Sequence, residues 1–231
     1  MYLRHPKFTK SPRHYINGYL LIQKDLISLF NYIEPSDTNL NAYSHEIMNL
    51  FLRSCIECEA NFKAILRENG YDLPDRPNIN HYAKVEKSHR LSSYKVKIPW
   101  WSGEGSERQP FKEWGTITDG NPGGLGWYRD YNIVKHDRYD NFKNASFNNL
   151  IDSICGVVVL LSSQFHCEDY SPHNPTIVCE GYGDNDGMET AIGDYFRIKF
   201  PNDWPSEERY GFDWNAISGE EDPFQKFNYN S

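Results

Sequence analysis

The stretch that decides the fold is residues 127–165, WYRDYNIVKHDRYDNFKNASFNNLIDSICGVVVLLSSQF. At about 100° per residue, its first half has two faces. The apolar face carries Trp127, Tyr131, Val134, Phe142 and Ala145, and the polar face carries Arg129, Asn132, His136, Asp140 and Lys143. From about Phe147 to Phe165 the chain is apolar on nearly every side, which is typical of a helix at the centre of a bundle. The stretch therefore predicts a two-faced helix followed by a central one.

Apolar residues at helical spacing predict two earlier helices, at about 14–32 and 43–69. Ser44 is a suitable N-cap for the second of them. Alternating residues predict short strands at 94–98 and 195–200, and a further apolar run predicts one at 176–179. The pattern is that of a helical protein to which a small amount of β-structure has been added.

The predicted fold class is therefore mainly α: a bundle of four or five helices with a small β-containing insertion and an aromatic, acidic C-terminal extension. We assign residues 1–168 to the helical domain and residues 71–126 to an irregular insertion within it. Residues 169–231 form the extension, whose aromatic content predicts that it packs on the bundle rather than remaining disordered.

Composition and charge exclude several classes of protein. The chain has 231 residues, a formal net charge of −8 and 15% aromatic residues. These values predict a single domain with a substantial core, and they argue against sequence-independent binding of duplex nucleic acid. The apolar run 157–161 is too short to span a bilayer, and residues 1–6 lack the apolar segment of a secretory signal. We expect a cytoplasmic protein that does not enter the membrane.

The cysteines do not form a disulfide framework or a zinc motif. Cys55 and Cys58 fall in the apolar stripe of a predicted helix, where buried thiols are common. The potential metal ligands His166, Cys167, His173 and Cys179 lie in one neighbourhood but lack the paired close spacing of zinc sites. The sequence therefore predicts no metal and no cofactor.

An arginine and a histidine separated by six residues, Arg129 and His136, lie on the polar face of the predicted helix. A helical bundle whose late helix carries this pair resembles the HEPN superfamily of small α-helical proteins, many of which are RNA-cutting toxins or defence nucleases. The earlier helix, around Arg53–Lys63, is similar to the acidic and aromatic first helix of such proteins. The resemblance covers residues 43–69 and 127–165.

The resemblance implies a metal-independent endoribonuclease of a toxin or defence system, which needs no cofactor and cuts RNA through its own 2′-hydroxyl. His136 would act as general acid or base, and Arg129 would hold the phosphate oxygens with its planar guanidinium. Asn132 would orient either the imidazole or the scissile phosphate. It further implies a homodimer that pairs through the 129–143 helix face.

Two alternatives to the nuclease remain open for the same residues. The chain could be a non-catalytic HEPN-like interaction module that binds a protein partner or a nucleotide through the polar face. The face could also be an ordinary solvated helix surface, since exposed helix faces usually carry charged residues. Pairing of two chains through this face would favour the nuclease, and a monomer with the face open to solvent would favour the module.

A basic tract in the insertion is the candidate RNA-binding surface. It consists of Lys84, Lys87, Arg90, Lys95 and Lys97, flanked by tyrosines and tryptophans. Lysines interleaved with aromatic rings suit single-stranded nucleic acid, whose bases stack while its phosphates meet the cations. The alternative is a strand edge that lysines protect from pairing with another chain.

Arg138 occupies an unexpected position on the helical wheel. If the helix continues through residue 138, the guanidinium points into the bundle with the apolar face. A buried guanidinium requires a carboxylate partner. We therefore expect Arg138 to pair with Glu59 or, failing that, with Glu57.

Overall fold

The computed structural model describes residues 11–116, 124–167, 187–203, 219 and 226–230. Its helices are α1 (Pro12–Leu29), α2 (His45–Glu68), α3 (Ile79–Tyr82), α4 (Glu86–His89), α5 (Gly126–His136), α6 (Arg138–Asn141) and α7 (Phe147–Phe165). Its strands are β1 (Lys95–Lys97), β2 (Glu107–Arg108), β3 (Glu189–Thr190) and β4 (Arg197–Lys199). The predicted fold class, mainly α with a small β-element, is confirmed. The predicted strand at 176–179 lies outside the described residues.

Helix α7 is the centre of the bundle, as its sequence predicts. Its residues are buried except Asn148 and Asp152, which are partly exposed. Helices α1, α2 and α5 and strand β1 all pack against it. A helix that is apolar on every side is buried by contacts on every side. The long helices and the sheet therefore pack around α7.

Small residues allow α2 and α7 to approach closely. The hydroxyls of Ser54 and Ser153 lie 2.5 Å apart at the crossing, and the Cys58 thiol donates to the Ser153 carbonyl at 3.6 Å. A Cβ atom on Gly156 would lie only 3.5 Å from the Cys58 sulfur. Cys55 and Cys58 are fully buried, so their predicted role in the core is confirmed.

The N-terminus of α2 forms where the sequence predicts it. The Ser44 hydroxyl accepts a hydrogen bond from the backbone N–H of Ile47 at 3.1 Å. This bond satisfies one of the backbone donors that the first turn of a helix leaves without a helical partner.

The four strands form one antiparallel sheet in the order β2-β1-β4-β3. Val96 pairs with Ile198 at the centre of the sheet, and both side chains are fully buried. Two strands come from the predicted insertion and two from the predicted C-terminal extension, so the two regions share one set of backbone hydrogen bonds.

Helix α5 ends at His136, which corrects the prediction of one continuous helix through Lys143. Asp137 has φ −142° and ψ 78°, outside the helical region, and its carboxylate accepts from the backbone N–H of Asp140 to begin α6. An aspartate that caps a new helix interrupts the old one, because its side chain competes with the helical hydrogen bonds. Residues after 137 consequently leave the helical wheel of α5.

The predicted burial of Arg138 is wrong for the same reason. Arg138 is exposed at the start of α6. Glu59 instead accepts a hydrogen bond from the Tyr128 hydroxyl at 2.9 Å and forms an ion pair with Lys63 at 3.4 Å. Lys63 of α2 and Tyr128 of α5 are thus the partners of Glu59, in place of the predicted Arg138.

We expect Arg138→Met to leave the free energy of unfolding within about 0.5 kcal/mol of the wild type, as for most surface substitutions. Tyr128→Phe is the comparison, because it removes a hydrogen bond to a carboxylate and should cost about 1.5–3 kcal/mol. Urea unfolding of the two variants measures both values. A decrease of more than about 2 kcal/mol in the free energy of unfolding of Arg138→Met would indicate a buried charged group. That result would contradict the exposed position of Arg138.

Among the described residues, the longest and most apolar helices still fall short of what crossing a membrane requires.

Candidate functional site

Helix α5 presents a buried side and an exposed side. The buried side carries Trp127, Tyr128, Tyr131 and Val134. Arg129 and His136 are exposed, and Asn132 is partly exposed. Asn132 is three positions after Arg129, and His136 is four positions after Asn132. The three polar side chains therefore share one side of the helix. The predicted two-faced character of α5 is therefore present from residue 127 to residue 136.

Each of the three predicted catalytic residues has a different environment. The Arg129 side chain is 73% exposed, and its Nε atom lies 3.6 Å from a carboxylate oxygen of Asp130. The Asn132 side-chain amide donates one hydrogen bond to the Tyr128 carbonyl of its own helix at 2.9 Å. His136 is the last residue of α5. The arrangement leaves an exposed guanidinium and an exposed imidazole at opposite ends of the same helical side.

The exposed surface continues past the end of α5. All six residues from Lys135 to Asp140 are exposed, and Tyr139 reaches 92%. Arg138 therefore joins His136 on the surface, two residues further along the chain. Helical periodicity alone does not predict the exposure of Arg138, because it extends the helix through Asp137. The capping ability of that aspartate was the signal that could have located it.

The residues of the predicted basic tract are distributed over several elements. Lys84 donates to the Tyr229 carbonyl at 3.1 Å and lies 5.3 Å from the centre of the Tyr71 ring. Lys87 is exposed on α4, and Arg90 follows that helix with a left-handed backbone, φ 50°. Lys84 thus serves the contact with the C-terminal residues, and the tract is not one continuous surface.

Lys95 and Lys97 lie on the outer face of the sheet, opposite to the buried Val96. The antiparallel register places Lys199 beside Lys95 and Arg197 beside Lys97. Residues directly opposite in antiparallel strands project to the same face. Four basic residues therefore share this outer sheet face, where Lys95 also forms an ion pair with Glu107 at 2.5 Å.

Sequence reasoning missed Arg197 and Lys199 because about 100 residues separate them from Lys95. The alternation of the predicted strand 195–200 was the available signal, since it places residues 197 and 199 on one side. It could not show which strand would be the neighbour.

The residues of the two predicted sets have different partners. Arg129 and Asn132 interact with α5 itself, whereas Lys84 and Lys95 interact with Tyr229 and Glu107. The insertion also contacts α5 directly, because the rings of Tyr82 and Tyr128 lie 6.3 Å apart.

Two of the four potential metal ligands come together with a third group. His166 and Cys167 follow the last residue of α7 and lie near Glu189 of β3. His173 and Cys179 lie outside the described residues. Glu189 is absent from the set predicted from sequence, because it is 22 positions from Cys167.

Comparison with known proteins adds no further assignment. The chain matches no protein-family model, no curated protein and no solved structure.

Proposed function

We propose that the protein is a metal-independent endoribonuclease of the HEPN type, acting in a toxin or defence system. The observation that carries the proposal is the common exposed side of α5, on which Arg129, Asn132 and His136 are arranged while the opposite side anchors the helix in the core. A rigid helix that presents a guanidinium and an imidazole to solvent has the two groups that 2′-hydroxyl attack on a phosphodiester needs.

Each residue would have a defined role. His136 transfers the proton of the 2′-hydroxyl or of the leaving oxygen, and Arg129 binds the phosphate oxygens through its planar fork. Arg138, exposed beside His136, offers a second cation for the RNA backbone. Asn132 donates one hydrogen bond within its own helix, and its second N–H and its carbonyl oxygen would orient the imidazole or the scissile phosphate.

The proposed site is shared between two protomers. Arg129 and His136 are seven positions apart, about 10 Å along a helix axis, and so lie at the two ends of the exposed side. Two-fold pairing of the α5 sides in antiparallel orientation would bring Arg129 of one protomer towards His136 of the other. The proposed interface is residues 129–136 together with the turn to residue 143.

The outer sheet face supports binding of RNA by the same protein. Lys95, Lys97, Arg197 and Lys199 share it, although the whole chain carries a net charge of −8. A local positive surface on an acidic protein favours a flexible single strand that can follow the surface, more than a rigid duplex. An enzyme acting on cellular RNA would work in the cytoplasm.

The test is cleavage of a mixed RNA pool by the purified full chain in EDTA, with the same sequences as DNA for the control. Attack by the 2′-hydroxyl predicts fragments that end in 2′,3′-cyclic phosphate, and it predicts no cleavage of DNA. Equal cleavage of RNA and DNA, or activity that depends on added Mg²⁺, would contradict the proposed chemistry.

A second candidate is a non-catalytic module that binds a protein through the same side of α5. Tyr139 of α6, which continues the exposed surface beyond the end of α5, favours it, because a tyrosine 92% exposed among charged residues resembles the aromatic anchors of protein interfaces. A dimer or complex that loses stability in Tyr139→Ala, in a protein that cleaves no RNA, would support this candidate over the nuclease.

A further inference from the structure

A cluster of three different ligand types lies where the chain leaves α7. The Nε2 atom of His166 is 3.7 Å from a carboxylate oxygen of Glu189, and the same oxygen is 3.9 Å from the sulfur of Cys167. The three ligand atoms all lie within 4.8 Å of one another. The cluster is separate from the proposed nuclease site.

The His166–Glu189 separation matches a shared cation better than a direct hydrogen bond. Ordinary N–H···O bonds are about 2.7–3.2 Å long, shorter than the His166–Glu189 distance. Around a tetrahedral zinc ion with bonds of about 2.0–2.3 Å, neighbouring ligand atoms are about 3.3–3.8 Å apart. The two separations from the Glu189 oxygen, 3.7 and 3.9 Å, are already close to this range, and all three ligand atoms lie within 4.8 Å of one another.

The fold brings the ligands together from two separate parts of the chain. His166 has φ 55° and ψ −123°, a conformation that is rare for residues with side chains and that ends α7. Its ring stacks on Phe200, just after β4, with centroids 4.6 Å apart. Glu189 is fixed by the pairing of β3 with β4. The end of α7 and strands β3 and β4 thus meet at the cluster.

We propose that His166, Cys167 and Glu189 bind a divalent transition-metal ion, for which Zn²⁺ fits best. Imidazole, thiolate and carboxylate are all established zinc ligands, and a mixed set of nitrogen, sulfur and oxygen disfavours Mg²⁺ and Ca²⁺. Three protein ligands leave the fourth tetrahedral position for a water molecule or another group. This proposal replaces the expectation of a chain without a metal.

The metal would have a structural role. Its ligands come from the two sides of residues 168–186, so the ion would join the end of α7 to the sheet. The nuclease side of α5 is tied to α7 through the bond between Asp130 and Asn149. Asn149 is about 25 Å from His166 along the axis of α7. The metal site and the proposed RNA cleavage are therefore independent.

The experiment is a titration of the metal-free full chain with Co²⁺, followed by displacement with Zn²⁺. We expect a thiolate-to-cobalt absorption band that Zn²⁺ abolishes. Cys167→Ser should remove the band, and Glu189→Gln should weaken Zn²⁺ affinity by at least about 10-fold, the smallest effect usual for groups around a metal. The matched controls His14→Asn and Glu34→Gln, which change exposed residues elsewhere, should bind as the wild type does.

Circular dichroism verifies that each variant is folded. Because the metal site and the proposed RNA cleavage are independent, Cys167→Ser should lose the cobalt band and cleave RNA as the wild type does. A wild-type chain that gives no thiolate band, or a band that survives Cys167→Ser, would overturn the metal site. An affinity equal in Glu189→Gln and wild type would remove Glu189 from it. None of these results bears on the role of His136.

Discussion

Replacement of His136 by alanine is expected to slow the proposed RNA cleavage by about 10²–10⁴-fold, the usual contribution of a general acid or base. The variant should fold normally, because His136 is exposed and is the final residue of α5. Single-turnover cleavage of a labelled RNA by wild type and variant measures the ratio of rates. A large loss of rate without a loss of stability would show that the imidazole acts in the reaction.

Arg129 provides a graded comparison. Arg129→Ala removes the charge and the planar fork together, whereas Arg129→Lys keeps the charge and loses the fork. Cleavage by Arg129→Lys should therefore fall between those of Arg129→Ala and the wild type. His14→Ala is the matched control, an exposed histidine on α1 rather than α5. Unchanged rates in both His136→Ala and Arg129→Ala would remove the α5 side from the active site.

The central part of the fold could be predicted from sequence because its signals are local and consistent. Helix α7 has the predicted bounds Phe147–Phe165, since a helix that is apolar on every side can be stable only inside a bundle. Helix α2 begins after its predicted cap, Ser44, because the hydroxyl satisfies a backbone donor of the first turn. In both helices the local preference and the packing agree.

The candidate site was predictable only in part, because one residue decides where α5 ends. The wheel placed Arg129, Asn132 and His136 correctly on one side, but it extended the pattern through Asp137. Periodicity alone cannot distinguish a polar residue on a helix from an aspartate that caps the next one. The consequence was the wrong interior position for Arg138.

The sheet and the proposed metal-binding site depend on contacts between distant parts of the chain. Alternation predicts that Lys95 and Lys97 share a face, but the register with Arg197 and Lys199 follows from tertiary packing. Glu189 joins His166 and Cys167 in the same way, through the pairing of β3 with β4. Spacing rules for metal ligands identify pairs that are close in sequence, and this cluster has only one such pair.

A second large effect is expected at the contact between the sheet and α7. Arg108 of β2 lies 3.3 Å from a carboxylate oxygen of Asp152 and 2.7 Å from the Asn148 amide oxygen. The side chains of Arg108 and Asp152 are only 12% and 23% exposed. Removal of one partner of a buried pair typically costs about 3–5 kcal/mol, because the other charge is left without compensation. We expect Arg108→Met to lose this amount at pH 8.

The loss should depend on pH because burial raises the pKa of Asp152 from 3.8 to about 6, although Arg108 acts to lower it. A carboxyl whose pKa is higher in the folded state than in the unfolded state costs stability as pH rises between the two values. At about 1.4 kcal/mol per pKa unit, this cost approaches about 3 kcal/mol above pH 6. Well below pH 3.8 the group is protonated in both states and the cost disappears.

Asp152→Asn isolates this contribution, because the amide keeps the shape of the side chain and does not titrate. We expect the stability of Asp152→Asn relative to the wild type to increase by about 2.5 kcal/mol between pH 4 and pH 8, because the unfolded carboxyl is already partly ionised at pH 4. Arg108→Met should show the opposite trend, since Asp152 without its partner is tolerated only while protonated. Urea unfolding at about pH 4, 6 and 8 measures both trends, because these values cover the range over which Asp152 ionises.

The pair of Arg53 and Asp25 supplies the control, since it joins α2 to α1 with side chains that are 47% and 50% exposed. Arg53→Met should cost no more than about 1 kcal/mol, because water already screens an exposed pair. A pH-independent difference between Asp152→Asn and wild type would mean that Asp152 ionises normally in the folded protein. Arg108 would then stabilise the contact through its stacking on Trp101, 5.1 Å from the ring centre, rather than through its charge.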